Sequence, residues 1–253
     1  MHYVIGDIHG CLREWLALKK DIEKKDDNAE FILLGDVIDR GPQVVEMCDW
    51  FVDNVLIDGR VKSVIGNHEW DKIQDFDRIL SQCKETDIEE NWEDARYDID
   101  DYYGSIKKFP TYYSYHKFLE FCRGLPFYIP LTINNKKFII AHGDIPSIVL
   151  QEDGTLTSND KLTKSQQERI VWDRNYGGFN TLQDTIIICG HTPTIDSEFL
   201  MLAHSPEAKE GKVYHYENRY NIDCGCVFWH FGYENCNLAA LCLETEEVTY
   251  LRN

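Results

Sequence analysis

Five short polar motifs, each set just after an apolar run, limit what this 253-residue chain can fold into. In order they are Gly6-Asp7-Ile8-His9-Gly10, Gly35-Asp36-Val37-Ile38-Asp39-Arg40-Gly41, Gly66-Asn67-His68-Glu69, Ala141-His142-Gly143-Asp144 and Gly190-His191-Thr192-Pro193. The first, third and fifth directly follow Tyr3-Val4-Ile5, Val64-Ile65 and Ile186-Ile187-Ile188-Cys189. Short apolar runs rich in β-branched residues read as buried strands. Ligands of open α/β sheets bind beyond the carboxyl ends of such strands. The pattern therefore predicts a sheet rim that gathers Asp, His, Asn and Arg from distant sequence.

The residue types at that rim define a chemistry. Asp7, His9, Asp36, Asn67, His142 and His191 offer carboxylate, carboxamide and imidazole, with no thiolate. Mixed oxygen and imidazole donors suit manganese, iron or zinc, whereas closed structural zinc sites favour cysteine. Six donors exceed one tetrahedral ion but serve two ions that share a bridging carboxylate. Paired metals about 3.5–4 Å apart clamp the attacking and leaving oxygens of in-line phosphoryl displacement. Asp7 and His9 stand two apart, so on extended backbone both reach the same side. Two divalent ions, manganese first among the candidates, are the expected cofactors.

With these motifs in hand, the sequence resembles the phosphoprotein-phosphatase branch of the calcineurin-like metallophosphoesterases. In particular it is similar to the compact bacterial and phage serine/threonine phosphatases of the phage lambda type. The resemblance runs from Gly6 to Phe228. It includes Val171-Trp172-Asp173-Arg174, like a family segment with a phosphate-binding arginine, and Ile222-Asp223-Cys224-Gly225-Cys226-Val227-Phe228 on a late strand. It implies that Asp7 and His9 bind one ion, Asp36 bridges, and Asn67, His142 and His191 hold the second. His68 would be the general acid, with Asp39 orienting its ring. Arg40 and Arg174 would grip phosphate oxygens, a task suited to planar bidentate donors.

The expected activity is phosphomonoester hydrolysis by in-line attack of a metal-bridging hydroxide, on phosphoserine or phosphothreonine proteins or on small phosphoesters. The alternative is a dinucleoside polyphosphate hydrolase acting on diadenosine tetraphosphate (Ap4A) or a related pyrophosphate. Ile65 stands where many protein phosphatases of this type carry an arginine. Symmetrical Ap4A hydrolases tend to be apolar there too, but they usually lack the acid at Asp39 and have GNHD in place of GNHE. Asp39 and Glu69 thus favour the monoester reading. A catalytically silent binding protein would be expected to have lost His68, an arginine or a ligand, and none is missing. Asp144 receives no role.

Composition narrows the partners. The net charge of −18 argues against general attraction to nucleic acid, which needs a basic footprint. An anionic substrate must instead be drawn in locally by metals and arginines. No apolar stretch approaches the ~18 residues needed to cross a bilayer, and no basic-then-apolar leader precedes the first strand. Nine cysteines without paired CxxC spacing fit reduced thiols, hence a cytoplasmic protein. Cys224 and Cys226 read as small apolar residues packed in a strand. Histidines His2, His116, His204, His215 and His230, outside the motifs, read as structural or surface groups.

The predicted architecture is α/β, a four-layer αββα sandwich of two mixed sheets forming one domain over residues 1–253. Strands are expected near His2–Gly6, Glu30–Gly35, Val61–Gly66, Tyr128–Ile133, Lys137–His142, Thr185–Gly190, Arg219–Cys224, Leu238–Leu243 and Val248–Leu251. Helices are expected near Leu12–Lys25, Gln43–Val55, from Glu69 to about Cys83, and near Tyr113–Arg123. An insertion at about 82–111 is acidic: Asp87 to Asp101 holds eight acids against Arg96. So long a connection is expected to border the active-site groove and to disfavour anionic flanks on a substrate. Its aromatics, Tyr102, Tyr103, Phe109, Tyr112 and Tyr113, read either as a lid or as packing for the insertion.

Overall fold

The computed structural model describes residues 1–57, 59–99, 101–174, 182, 184–195 and 208–251. Two five-stranded mixed sheets stack face to face. The first holds β1 (His2–Ile5), β2 (Glu30–Leu33), β3 (Val61–Ser63), β9 (Leu238–Cys242) and β10 (Val248–Leu251), in the order β10-β9-β1-β2-β3. The second holds β4 (Tyr128–Ile133), β5 (Lys136–Ala141), β6 (Thr185–Cys189), β7 (Tyr214–Tyr216) and β8 (Arg219–Asn221), in the order β4-β5-β6-β8-β7. In each sheet the central strands run parallel: β1 with β2 and β2 with β3, then β5 with β6 and β6 with β8.

Strand periodicity separates the layers. Val4, Ile32, Leu34, Val64 and Leu241 meet Phe138, Ile140, Ile188 and Ile222 between the sheets. Their neighbours Tyr3, Ile5, Phe31 and Leu33 point the other way, into the cluster built on the helices. Helix α1 (Leu12–Glu23) buries Trp15, Leu18 and Ile22, spaced three and four apart, and the Trp15 ring lies 5.4 Å edge-on from Phe31. Helix α2 (Val44–Asn54) buries Met47, Cys48 and Phe51 against the same layer. The expected αββα layering is thus present.

Three boundaries differ from expectation, each for a local reason. Helix α3 (Asn67–Leu80) begins at Asn67, earlier than expected, because the Glu69 carboxylate accepts the Gly66 N–H and caps the first turn. Strand β3 stops at Ser63, since the Ile65 N–H turns away and donates to the Pro126 carbonyl. The insertion is largely helical, with α4 (Glu85–Glu90) and α5 (Trp92–Asp98) anchored by buried Ile88 and Trp92. It leads to α6 (Tyr112–Arg123), and a further helix, α7 (Lys164–Trp172), follows β5. Among the described residues no helix is long and apolar enough to cross a membrane.

Candidate metal centre and phosphate site

The carboxyl ends of the parallel strands converge on one locus. Asp7 follows β1, Asp36 follows β2, Asn67 follows β3, His142 follows β5 and His191 follows β6. All of these side chains, and that of His9, are buried. Oδ2 of Asp36 is the focus: Nε2 of His9 and of His142 each lie 3.4 Å away, and Nε2 of His68 lies 3.8 Å away. Asn67 Oδ1 sits 2.9 Å from His142 Nε2 and 2.8 Å from His191 Nδ1. The His191 backbone N–H donates to Asp7 Oδ2 at 3.1 Å. Two overlapping donor groups result, His9–Asp36–His68 and Asp36–His142–His191, each with its ligand atoms within 4.8 Å of one another. Asp36 belongs to both.

The backbone is bent to bring these groups together. His9, Asp36, Asp39, Arg40 and His191 have φ of 44°, 50°, 72°, 65° and 64°. Left-handed backbone is uncommon outside glycine and costs about 1–3 kcal/mol at a strained position. Such strain clusters at functional sites. Two motif glycines are explained by close approach: a Cβ on Gly66 would fall 2.2 Å from Asp36 Oδ1, and one on Gly190 would fall 2.3 Å from Asp7 Oδ1. Below them Glu69 acts as a brace, its two oxygens accepting the N–H groups of Asp36, Val37, Ile38 and Gly66 at 2.7–3.2 Å.

Electrostatics follow from this crowding. Burial opposes ionisation of Asp36, but His142, His68 and His9 outweigh it and hold its carboxyl well below the usual range. Burial also opposes charge on His142, yet Asp36 and Asp7 push it up to about 10. Burial, with His142 and Arg174, pulls His191 down to about 2, and burial, Arg40 and His68 pull His9 well below its ordinary value. Two of the imidazoles are therefore neutral, the form that ligates metal. Burial and the neighbouring charge of Asp223 push Asp7 well above the carboxylate range. Such massed carboxylates are stable as anions only beside cations.

His68 and the arginines complete the site. His68 Nδ1 donates to Asp39 Oδ2 at 2.6 Å, and Lys72 Nζ stands 3.5 Å from that same oxygen. Arg40 donates through Nη1 to His9 Nε2 at 2.6 Å and through Nη2 to the Tyr103 hydroxyl at 3.2 Å. Arg174 donates to Thr192 Oγ1 at 3.1 Å and lies beside the His191 carbonyl. All ten residues expected from the sequence thus lie around the Asp36 focus or adjoin a residue that does.

Several neighbours were not expected. Asp223, buried at the carboxyl end of β8, is pushed up to about 6 by burial. Its place after a parallel strand is the same signal that marked the other acids. Lys72, four residues after His68 on one face of α3, joins Asp39 to Asp101 of the insertion. The Tyr103 ring lies 4.7 Å from that of His68 and 5.1 Å from the Arg40 guanidinium. The insertion therefore borders the site through Asp101 and Tyr103. Its other aromatics divide: Phe109 and Tyr112 are buried packing, and Tyr102 and Tyr113 are exposed. Asp144 pairs with Arg219, and the His215 ring stacks on Tyr220. His2 and His116 pair with surface acids, and His204 lies outside the described residues.

Comparison with known proteins agrees with this geometry. The chain belongs to the calcineurin-like phosphoesterase family, which matches residues 3–228. It is similar to the asymmetrical bis(5'-nucleosyl)-tetraphosphatase PrpE of Oceanobacillus iheyensis, 25% identical over 242 residues covering 89% of this chain and 84% of that one. The PrpE protein of Anoxybacillus flavithermus is 27% identical over 249 residues, covering 89% and 85%. Among solved structures, a protein serine/threonine phosphatase from Saccharomyces cerevisiae shares the fold, with a TM-score of 0.57 at 14% identity, covering 100% of this chain and 79% of that one. The chain is a metallophosphoesterase, a hydrolase of phosphoesters with side-chain clusters able to hold divalent metal.

Proposed function

We propose that this protein hydrolyses dinucleoside polyphosphates asymmetrically, with Ap4A as the type substrate. The observation that carries this reading is the full-length likeness to two asymmetrical bis(5'-nucleosyl)-tetraphosphatases, each covering 89% of the chain. The order of the two activities expected from sequence is thereby reversed. Exposed Tyr102, edge-on to Tyr103 at 4.9 Å, offers a ring face on which a nucleobase can stack. Cleavage of Ap4A in the presence of manganese, with the products separated, tests the reading: ATP and AMP are expected.

Asp7, His9, Asp36, Asn67, His142 and His191 would hold two divalent ions, manganese being the first to try. The donors fit: Asp7 Oδ1 and His191 Nε2 are buried without a hydrogen-bond partner among the described residues, as ligand atoms are. Bound ions would supply an activated water and Lewis acidity toward the phosphate. The chain supplies the rest. Arg40 and Arg174 donate to phosphate oxygens as charge builds on them. Asp39 accepts from His68 Nδ1, which fixes the ring and leaves Nε2 to carry a proton to the leaving oxygen. Lys72 keeps Asp39 ionised. Trp172, edge-on to His191 at 5.5 Å, walls the Arg174 side.

A second reading, phosphoserine or phosphothreonine phosphatase, is favoured by one feature, the Asp39–His68 pair. A nucleotide phosphate leaves readily as an anion, whereas a serine alkoxide needs a proton. A built proton donor is therefore worth more to a monoesterase.

A further inference from the structure

Outside the phosphoesterase centre, three potential ligands, Cys11, Glu14 and His230, meet from opposite ends of the chain. Cys11 and Glu14 stand three apart at the start of α1, and Cys226 and His230 stand four apart on the 3-10 helix Cys226–Phe231. Thiolate, carboxylate and imidazole are the donors zinc takes, and three protein ligands can leave its fourth position open. The Cys11 Sγ, a Glu14 oxygen and a His230 ring nitrogen all lie within 4.8 Å of one another. Glu14 Oε1 is 3.4 Å from His230 Nε2. A tetrahedron of zinc-length bonds has donor-to-donor edges of roughly 3.3–3.8 Å. Cys226, buried like Cys11, lies outside this group of three.

A plain surface ion pair does not account for this arrangement. Glu14 is only 5% exposed, and its second oxygen, Oε2, is buried with no hydrogen-bond partner among the described residues. An unsatisfied buried carboxylate oxygen is costly, so a partner is missing. Cys11 and Cys226 are also buried, whereas the His230 side chain is 30% exposed and leaves a way in from solvent.

We propose that Cys11, Glu14 and His230 form a second metal site that takes one thiophilic divalent cation of the zinc class. The ion would clip the loop carrying His9, two residues before Cys11, to the 3-10 helix carrying Phe228. The Phe228 ring in turn lies 5.9 Å from the Arg40 guanidinium. The clip would thus steady a loop and an arginine of the phosphoesterase centre from behind.

Cobalt(II) titration of the reduced, chelator-treated full chain tests this, because thiolate ligands give cobalt a charge-transfer band that oxygen and imidazole ligands do not. Wild type is expected to develop the band, its final intensity matching one thiolate-bound ion among those the chain takes up. Cys11→Ser should abolish it, and Cys83→Ser, which alters the one exposed cysteine, should not. His230→Gln, a change at a partly exposed side chain that folding tolerates, should weaken cobalt binding by roughly 100-fold. Asp36→Asn should leave the band intact, which separates this site from the phosphoesterase centre. No band in reduced wild type, or a band that survives Cys11→Ser, would overturn the proposal.

Discussion

Oδ2 of Asp39 lies 2.6 Å from Nδ1 of His68, and both side chains are buried. The bond fixes which face of the imidazole looks toward Asp36. Burial alone would raise the carboxyl, but His68 and Lys72 outweigh it and hold Asp39 below its ordinary value. The pair is therefore an ionised acid orienting a ring whose far nitrogen, Nε2, faces Asp36. His68→Asn should lower kcat on alkyl phosphates by roughly 100- to 10,000-fold and on Ap4A or aryl phosphates far less. Asp39→Asn should follow the same ranking with smaller losses. Steady-state kinetics on the three substrate types, with metal content measured alongside, check this. Equal losses on all three would remove His68 from proton donation.

Asp36 is common to both donor clusters, so its loss should be felt at both. Asp36→Asn is expected to hold fewer than two manganese equivalents after gel filtration, whereas His9→Asn should reduce loading mainly at one position. Elemental analysis of the purified variants decides. Two full equivalents in Asp36→Asn would contradict a bridging carboxylate.

Metal loading should be linked to protons. In the metal-free protein His142 is raised to about 10 by Asp36 and Asp7 against the effect of burial. A group raised in the folded state stabilises it below the unfolded pKa of about 6.5, and that stability is lost as pH climbs toward 10. Coordination needs the neutral ring, so metal binding should strengthen over the same window and release at least one proton at pH 8. Calorimetry in two buffers of different ionisation enthalpy measures the release. A value of zero would mean that His142 is already neutral.

Glu69 has a structural task that the GNHE motif does not reveal. Its carboxylate satisfies four backbone N–H groups beneath the Asp36 loop. Glu69→Ala should leave them unpaired and destabilise the metal-free protein by about 3 kcal/mol or more. Urea unfolding of the metal-free proteins checks it. A change below about 1 kcal/mol would mean that water replaces the carboxylate.

Much of this was legible because strand and loop chemistry are local. The apolar runs before Gly6, Gly35 and Gly190 are strands, and the residues after them converge as predicted. Other parts needed three dimensions. Helix α7 escaped notice because its buried residues, Ile170 and Val171, come only at its end, after a polar run. Helix α4 has Ile88 as its one buried side chain among acids. Tyr103 and Lys72 reach the site through partners more than twenty residues away, which no local pattern encodes. His230 reads as a structural or surface group and shows its neighbours Cys11 and Glu14 only when the two ends of the chain meet. Substrate choice was least legible: Asp39 and Glu69 pointed to monoesters, whereas the full-length relatives point to dinucleotides.

The measurement that bears most directly on function is kcat/KM with manganese for Ap4A against a phosphoserine peptide. Both substrates would use the same arginines and metals, so shared binding cancels and the ratio reports the preferred leaving group. The account predicts a higher value for Ap4A, with ATP and AMP as products. A higher value for the phosphopeptide, or symmetrical cleavage to two ADP, would contradict it.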